Sequence, residues 1–255
     1  MPIHFQTRPG LIAYLTCGDP NLEATREVAL AAIEAGAEVV ELGVPFSDPV
    51  ADGPVIQRAS ERALRGGTKL ADVLGLAREL RREKPCAGLI IFSYFNPVLR
   101  MGVERFAAVA AEAGVDGALI TDLTVEEAGD YLKAMRKRNL ATVFLAAPTS
   151  TDARLRRIVA ASTGFVYAVS RTGVTGARKQ LSTDARDLVR RLRKFTKLPI
   201  AVGFGISTAE QFREAGEFAD AVVVGSALVE IIERGGGAGA AGKFIQEMRS
   251  KKLRR

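Results

Sequence analysis

The sequence is poor in the side chains that build disulfide frameworks and histidine-based sites. Its 255 residues include two cysteines, one histidine and no tryptophan. Two cysteines are too few for a disulfide framework, so Cys17 and Cys86 are expected to be small buried residues. The single histidine, His4, precedes the first predicted strand, which disfavours histidine catalysis and histidine-rich metal sites.

Long apolar runs are missing as well. No run reaches the roughly 18 residues that a membrane-spanning helix needs, and the N-terminal MPIHFQTRPG lacks the apolar centre of a signal peptide. The chain is therefore expected to be cytoplasmic, without a membrane partner. Its length suits a single α/β domain over residues 1–255, and 47% hydrophobic residues suffice for a large core.

The charge is basic but not concentrated. The formal net charge is +7, from 36 Lys and Arg against 29 Asp and Glu. Basic residues are spread over predicted helices, apart from the run at 251–255, and no aromatic stacking platform accompanies them. This pattern is typical of solvated helix faces, so no nucleic-acid partner is expected.

Short β-rich runs alternate with longer amphipathic segments from end to end. The runs are nearly continuous in apolar residues, as in parallel strands buried on both faces; they are 11–16, 38–44, 88–94, 117–120, 142–147, 165–169, 199–203 and 221–225. Eight β-then-α units predict a single-domain (β/α)₈ TIM barrel, with a doubly wound open sheet as the alternative. The Gly/Ala-rich stretch 235–242 is interpreted as a loose connection before the last helix.

Three glycine clusters follow the last three predicted strands. They are SRTGVTGAR after the sixth, GFGIS after the seventh and GSALVE after the eighth, where Ser226 opens a short helix. Small residues there let backbone N–H groups approach a phosphate, and a helix N-terminus favours an anion. The clusters therefore predict a phosphate site at the C-terminal face of the barrel.

One ionisable residue interrupts the second strand. Glu41 lies between Val40 and Leu42, and strand alternation puts it on the opposite face from both. A carboxyl facing the interior would be an acid–base group with a raised pKa; a carboxyl paired with a neighbouring Lys or Arg would be structural, and the strand itself leaves both readings open. The loop that follows, SDPVADGP, holds Asp48 and Asp52 and is stiffened by prolines.

Two further residues have two readings each. Asp19, in CGDPN after the first strand, is either a helix-start residue or a support for the catalytic loop. Tyr167, within the sixth strand, either faces a ligand or fills the core.

Seven segments together resemble one family. From about Leu11 to about Val229, in order, the chain is similar to the tryptophan synthase α subunit family; the segments are YLTCGDP, ELGVPFSDPVADGPVIQRA, FSYFNPVL, AAPTSTD, SRTGVTGAR, VGFGIS and GSALVE. The resemblance implies a lyase that cuts indole-3-glycerol phosphate into indole and glyceraldehyde 3-phosphate without a cofactor or metal. It also implies a tryptophan synthase β subunit as partner, in an α2β2 heterotetramer that uses the indole for L-tryptophan synthesis.

The resemblance further implies residue roles. Glu41 would shuttle a proton to indole C3 and from the glycerol hydroxyl, and Asp52 would bind the indole N–H. Thr175 would lie on a mobile loop that orders the aspartate loop, and Asn96 and Pro97 would face the β subunit. The implied substrate-binding residues are Tyr14, Tyr94, Tyr167, Thr175 and Phe204, and the implied phosphate-binding residues are Gly176, Gly205, Gly225 and Ser226.

Two departures and two other functions accompany this reading. The segment before the first strand is too short for the extra N-terminal helix usual in the family, and TDLT at 121–124 replaces the usual PDLP in a loop of the partner interface. A stand-alone lyase that releases free indole would have the same site, and turnover without a partner discriminates it. A non-catalytic binding barrel is disfavoured by the intact Glu41 and Asp52.

Overall fold

Eight parallel strands close into one barrel. The computed structural model describes residues 3–169, 183–203 and 205–250. Each strand pairs with the next and the eighth with the first. The strands are β1 (Gly10–Thr16), β2 (Val39–Gly43), β3 (Gly88–Ser93), β4 (Gly117–Ile120), β5 (Ala141–Ala146), β6 (Val166–Val169), β7 (Ile200–Gly203) and β8 (Ala221–Val224). This closure confirms the predicted (β/α)₈ barrel over the open sheet.

Helices surround the barrel. Within the described residues they are α1 (Leu22–Glu34), α2 (Pro54–Arg65), α3 (Leu70–Glu83), α4 (Phe95–Met101), α5 (Val103–Glu112), α6 (Gly129–Lys137), α7 (Asp152–Ala161), α8 (Thr183–Arg193), α9 (Ala209–Gly216), α10 (Ser226–Glu233) and α11 (Gly237–Arg249). No helix in these ranges is both long and apolar enough to cross a bilayer.

Helices α2 and α4 were not predicted. Each carries a proline in its first turn, Pro54 in α2 and Pro97 in α4, and proline normally signals a loop. In the first turn the backbone N–H groups have no intrahelical partner, so the missing proline N–H is tolerated there. Helix α2 therefore follows the Asp52 loop directly, beginning two residues after that aspartate.

The interpretation of 235–242 as a loose connection is wrong. Helix α11 begins at Gly237 and includes the rest of that stretch. Its Ala241 is fully buried, and a Cβ on Gly242 would lie 3.6 Å from the Ala31 carbonyl oxygen of α1. Small residues thus let α11 pack closely on α1, and this burial outweighs the poor helix propensity of glycine.

Side chains alternate between two buried regions along each strand. On β1, Ile12 and Tyr14 point into the barrel, whereas Leu11, Ala13 and Leu15 pack under the helices. Both regions are apolar, which explains the continuous apolar runs. On β2 the same alternation places Glu41 inside the barrel, between Val39 and Gly43.

Residues 3–9 cover the bottom of the barrel and form no helix. The Phe5 ring meets the Phe165 ring edge-on at 6.3 Å between centroids, and it lies over Gly10, where a side chain would overlap it. Nearby, in the turn before β3, Cys86 is exposed, so the expectation of burial is wrong for Cys86 and confirmed only for Cys17.

Candidate active site

A cavity opens at the C-terminal ends of the strands, the face where barrels of this kind carry their sites. Its lining comes from strands β1, β2, β3, β6 and β8, the Asp52 loop, helix α2 and the segments after β7 and β8. The lining residues are Tyr14, Glu41, Asp52, Ile56, Phe92, Tyr167, Gly205, Val223, Gly225 and Ser226.

Glu41 lies at the floor of this cavity. In the barrel register it is beside Tyr14 of β1 and Ile90 of β3. The side chain is fully buried, and neither carboxyl oxygen has a hydrogen-bond partner among the described residues. Burial raises the pKa of Glu41 to about 8, because a low-dielectric interior disfavours the charged form. The salt-bridged reading of Glu41 is therefore excluded within the described chain.

Two tyrosines flank the cavity, each lying across a glycine of the next strand. Tyr14 covers Gly43, where a Cβ would lie 2.7 Å from the ring carbon Cζ, and Tyr167 covers Gly203, where that distance would be 2.5 Å. The Tyr14 ring meets the Phe92 ring edge-on at 5.0 Å between centroids. Burial raises the pKa of both phenols well above the usual value, so both remain neutral. Aromatic walls of this kind suit a flat apolar ring.

Asp52 is held by its own loop and by Tyr94. The Tyr94 hydroxyl donates to Asp52 Oδ2 at 3.1 Å and accepts the Ala51 N–H at 2.9 Å, while the ring stacks on Phe46 at 4.9 Å. The Gln57 side-chain amide donates to the Asp52 carbonyl oxygen at 2.9 Å. Burial raises the pKa of Asp52 to about 6, and the hydrogen bond from Tyr94 opposes that rise. Asp52 is thus ionised at neutral pH.

The opposite end of the cavity is lined by backbone and one hydroxyl residue. Ser226 is the first residue of α10, and Gly225 precedes it without a side-chain cap. Gly205 has φ +81°, a conformation that favours glycine, and a Cβ on Gly225 would lie 3.3 Å from Tyr14 Cβ. A helix N-terminus reached past glycines is suited to an anion.

Asp19 connects the first loop to α2. Its carboxylate is 2% exposed and receives both arms of the Arg62 guanidinium, at 2.7 and 2.8 Å. Helix α1 is capped by Asn21 instead, so the helix-start reading of Asp19 is wrong. Because α2 follows Asp52, this half-buried ion pair supports the loop that carries the second carboxylate.

Comparison with known proteins decides the family. A profile described as "Tryptophan synthase alpha chain" matches residues 3–253. The chain is 56% identical to the tryptophan synthase alpha chain of Solibacter usitatus, over 90% of this chain and 85% of that one. It is 52% identical to that of Thermococcus kodakarensis, over 88% and 89%. The chain belongs to the tryptophan synthase alpha chain family. Membership places it among lyase-type enzymes of tryptophan biosynthesis.

Solved structures agree. A chain of Mycobacterium tuberculosis tryptophan synthase superposes with a TM-score of 0.89 at 40% identity, covering 94% of this chain and 91% of that one. A chain of the tryptophan synthase complex from Pyrococcus furiosus gives 0.88 at 40% identity, covering 94% and 98%. The alpha chain fold therefore extends over almost the whole sequence.

The cavity brings together seven of the residues that the resemblance to the alpha chain family singled out; they are Tyr14, Glu41, Asp52, Tyr167, Gly205, Gly225 and Ser226. Tyr94 is not in the lining and contacts Asp52 instead. Thr175, Gly176 and Phe204 lie outside the described residues. In the described ranges no cluster of three His, Cys, Asp or Glu side chains could hold a metal.

Three lining residues were not predicted. Phe92 and Val223 are on the inward faces of β3 and β8, and strand alternation from Ile90 and Ala221 could have found them. Ile56 is on α2, which was itself unpredicted. The site residues expected from the sequence were ionisable, hydroxyl and glycine positions, with Phe204 as the one apolar residue, and so these apolar walls of the alpha chain cavity were passed over.

Proposed function

We propose that the chain cleaves indole-3-glycerol phosphate into indole and glyceraldehyde 3-phosphate, with Glu41 as the proton carrier. The observation that carries the proposal is a fully buried carboxyl without a hydrogen-bond partner among the described residues, aimed into a cavity. Such a group is costly to bury and is typical of an acid–base residue. Asp52 and the glycines near Ser226 line the same cavity.

The lining supports one orientation of the substrate. The phosphate binds at Gly205, Gly225 and Ser226, where the N-terminus of α10 favours an anion. The indole ring packs between aromatic and apolar side chains, chiefly Tyr167 and Phe92. Its N–H points to the Asp52 carboxylate.

The cleavage is a retro-aldol reaction in which protons and electrons balance. Protonated Glu41 donates its proton to indole C3, and the ring nitrogen becomes positive beside Asp52. The Glu41 carboxylate then accepts the proton of the hydroxyl on the adjacent glycerol carbon. The bond between indole C3 and that carbon breaks, its electron pair returns to the ring, and the C–OH becomes an aldehyde. Glu41 ends protonated, as it began.

The two carboxyls have pKa values that suit these separate roles. Glu41 titrates near 8 and is protonated at neutral pH, whereas Asp52 titrates near 6 and is ionised. Burial raises the pKa of both carboxyls and is the larger cause in each case; the hydrogen bond from Tyr94 then lowers the pKa of Asp52, whereas nothing described donates to Glu41. Two carboxyls separated in this way are assigned as acid and anion.

We also propose a tryptophan synthase β subunit as partner, in an α2β2 heterotetramer that passes indole from one site to the other. The Pyrococcus furiosus relative was solved as a tryptophan synthase complex. Val50 in the Asp52 loop and Leu99 on α4 are 78% and 60% exposed, which supports docking near the cavity. Asp122 of the TDLT loop accepts the Phe95 N–H at 2.7 Å and ties that loop to the start of α4.

Release of indole from indole-3-glycerol phosphate, with and without a β subunit, tests the proposal. Glu41→Gln should lower turnover by roughly 10²–10⁴-fold, the usual contribution of an acid–base group. Glu38→Gln is the matched control, because it makes the same change on the same chain segment at the bottom of the barrel, where Glu38 accepts from Thr7. Near-normal turnover of Glu41→Gln would remove Glu41 from the mechanism. High turnover without the β subunit would favour a stand-alone lyase.

A further inference from the structure

We infer that an ion network between α2 and α10 couples the two ends of the cavity, with Glu233 and Arg62 as positioning residues. Neither side chain lines the cavity. The inference rests on the proposed function, since it assumes that one substrate occupies both the phosphate end and the Asp52 end.

The network is built on two arginines that are one turn apart on α2. Arg62 binds Asp19 with two nitrogens and reaches Glu233 with the third, at 2.8 Å. Arg58 binds the same Glu233 through two nitrogens, at 2.7 and 2.8 Å. Glu233 therefore receives three hydrogen bonds from α2, and one guanidinium joins the loop after β1, α2 and α10. Planar guanidinium groups that bind in this way fix orientation as well as distance.

Each end of the network leads to one end of the cavity. Glu233 is the last residue of α10, and Ser226 at the cavity is the first. On the other side α2 follows the Asp52 loop, its Ile56 lines the cavity, and its Gln57 binds the Asp52 carbonyl oxygen. Both helices are only two to three turns long, so a shift at the network moves the phosphate site relative to Asp52.

We expect the network to fix the relative position of α2 and α10 rather than to stabilise the folded protein. Glu233 and Arg62 are 23% and 30% exposed, and ion pairs of that exposure add little to folding. Their removal changes how two short helices sit against each other. A misplacement of about 1 Å in a positioned site is enough to lower a rate roughly 100-fold.

Glu233→Gln is the sharpest variant. It keeps the size of the side chain and leaves the pair between Arg62 and the buried Asp19 intact, so the barrel should fold. Glu230→Gln is the matched control, because Glu230 is on the same helix and pairs locally with Arg234. Arg62→Lys is a second test: it keeps a cation beside Asp19, but it loses the two-nitrogen contact with Asp19 as well as the arm that reaches Glu233.

The measurement is the synergy between two fragments of the substrate. Indole is titrated calorimetrically with and without saturating glycerol 3-phosphate, and the ratio of the two dissociation constants is the synergy factor. Couplings between sites are typically about 5–150-fold; Glu233→Gln and Arg62→Lys should bring this factor close to one. Each fragment alone should bind nearly as in the wild type, and kcat for cleavage should fall more than KM changes.

The outcomes separate the two proposals. A wild type that neither cleaves indole-3-glycerol phosphate nor binds the fragments overturns the proposed function, and this inference with it. A wild type that cleaves, with Glu233→Gln retaining its synergy and kcat, overturns the network alone. The network is also overturned, and the proposed function is not, if Glu230→Gln loses as much synergy as Glu233→Gln. Loss confined to Glu233→Gln and Arg62→Lys supports the inference.

Discussion

Replacing Glu41 by Gln should stabilise the folded protein, and more so as the pH rises. Glu41 is fully buried without a hydrogen-bond partner among the described residues, and burial raises its pKa to about 8. The folded state therefore holds this proton more tightly than the unfolded chain, where a glutamate titrates near 4.5. The stability that the protonated Glu41 contributes is fully present below pH 4.5, where the carboxyl is protonated in both states. This stability decreases as the unfolded chain ionises, and it is lost once the pH has risen through about 8, where the folded state ionises as well.

The size of the effect follows from these two pKa values. Each pKa unit corresponds to about 1.4 kcal/mol, so full ionisation of Glu41 destabilises the fold by up to about 5 kcal/mol. Gln cannot ionise and matches the neutral carboxyl in size. The advantage of the variant should be about 1 kcal/mol at pH 5, about 3 at pH 7 and about 4 at pH 8.

Urea unfolding of both proteins between pH 4.5 and 9 measures this difference. Other titrating groups cancel, because both proteins share them. Asp52→Asn is the matched control: burial raises the pKa of Asp52 only to about 6, so its advantage should level off above pH 6, near about 3 kcal/mol. If the two stability differences level off at different pH values, each difference is due to the carboxyl that was replaced.

A difference between Glu41→Gln and the wild type that stays flat over this pH range would refute the argument. So would a variant that becomes less stable with rising pH. Either result would mean that Glu41 is ionised in the folded state, and the assignment of a protonated acid at neutral pH would fail with it.

Three further changes test the cavity. Gly203→Ala should lower the free energy of unfolding by roughly 1–3 kcal/mol, because its Cβ would lie 2.5 Å from Tyr167 Cζ. Its control is Gly75→Ala, in open space on α3, which should raise the free energy of unfolding by roughly 0.5–1 kcal/mol. Equal effects of the two substitutions in urea unfolding would contradict the packing of Tyr167 over Gly203. Asp52→Ala should cripple cleavage but leave glyceraldehyde 3-phosphate affinity nearly unchanged, and calorimetric loss of both fragments alike would count against the divided cavity. Gly225→Asp should abolish glycerol 3-phosphate binding, because it puts a negative charge beside a dianion, and retained binding would refute the phosphate assignment.

Local sequence determined the barrel and most of its mouth. Eight apolar runs of strand length, separated by amphipathic segments, predict parallel strands, since strands buried on both faces need apolar residues at every position. The period of two put Glu41 on the face opposite Val40 and Leu42, and glycines after the late strands marked the end of the cavity that we propose binds phosphate. Where local rules competed, prediction failed: Pro54 signalled a loop and began α2, and glycines after 235 signalled a connection and formed α11.

Tertiary structure alone decided which partners these residues have. Whether Glu41 was paired or alone depended on what the seven other strands place around it, and no described residue donates to it. The family resemblance implied that Tyr94 binds the substrate, yet its side chain is not in the cavity lining and its hydroxyl contacts Asp52, 42 residues earlier. Arg62 and Glu233 are 171 residues apart and meet only because β8 returns to β1. Periodicity reports the face on which a residue lies, whereas its partner across the barrel is determined by ring closure.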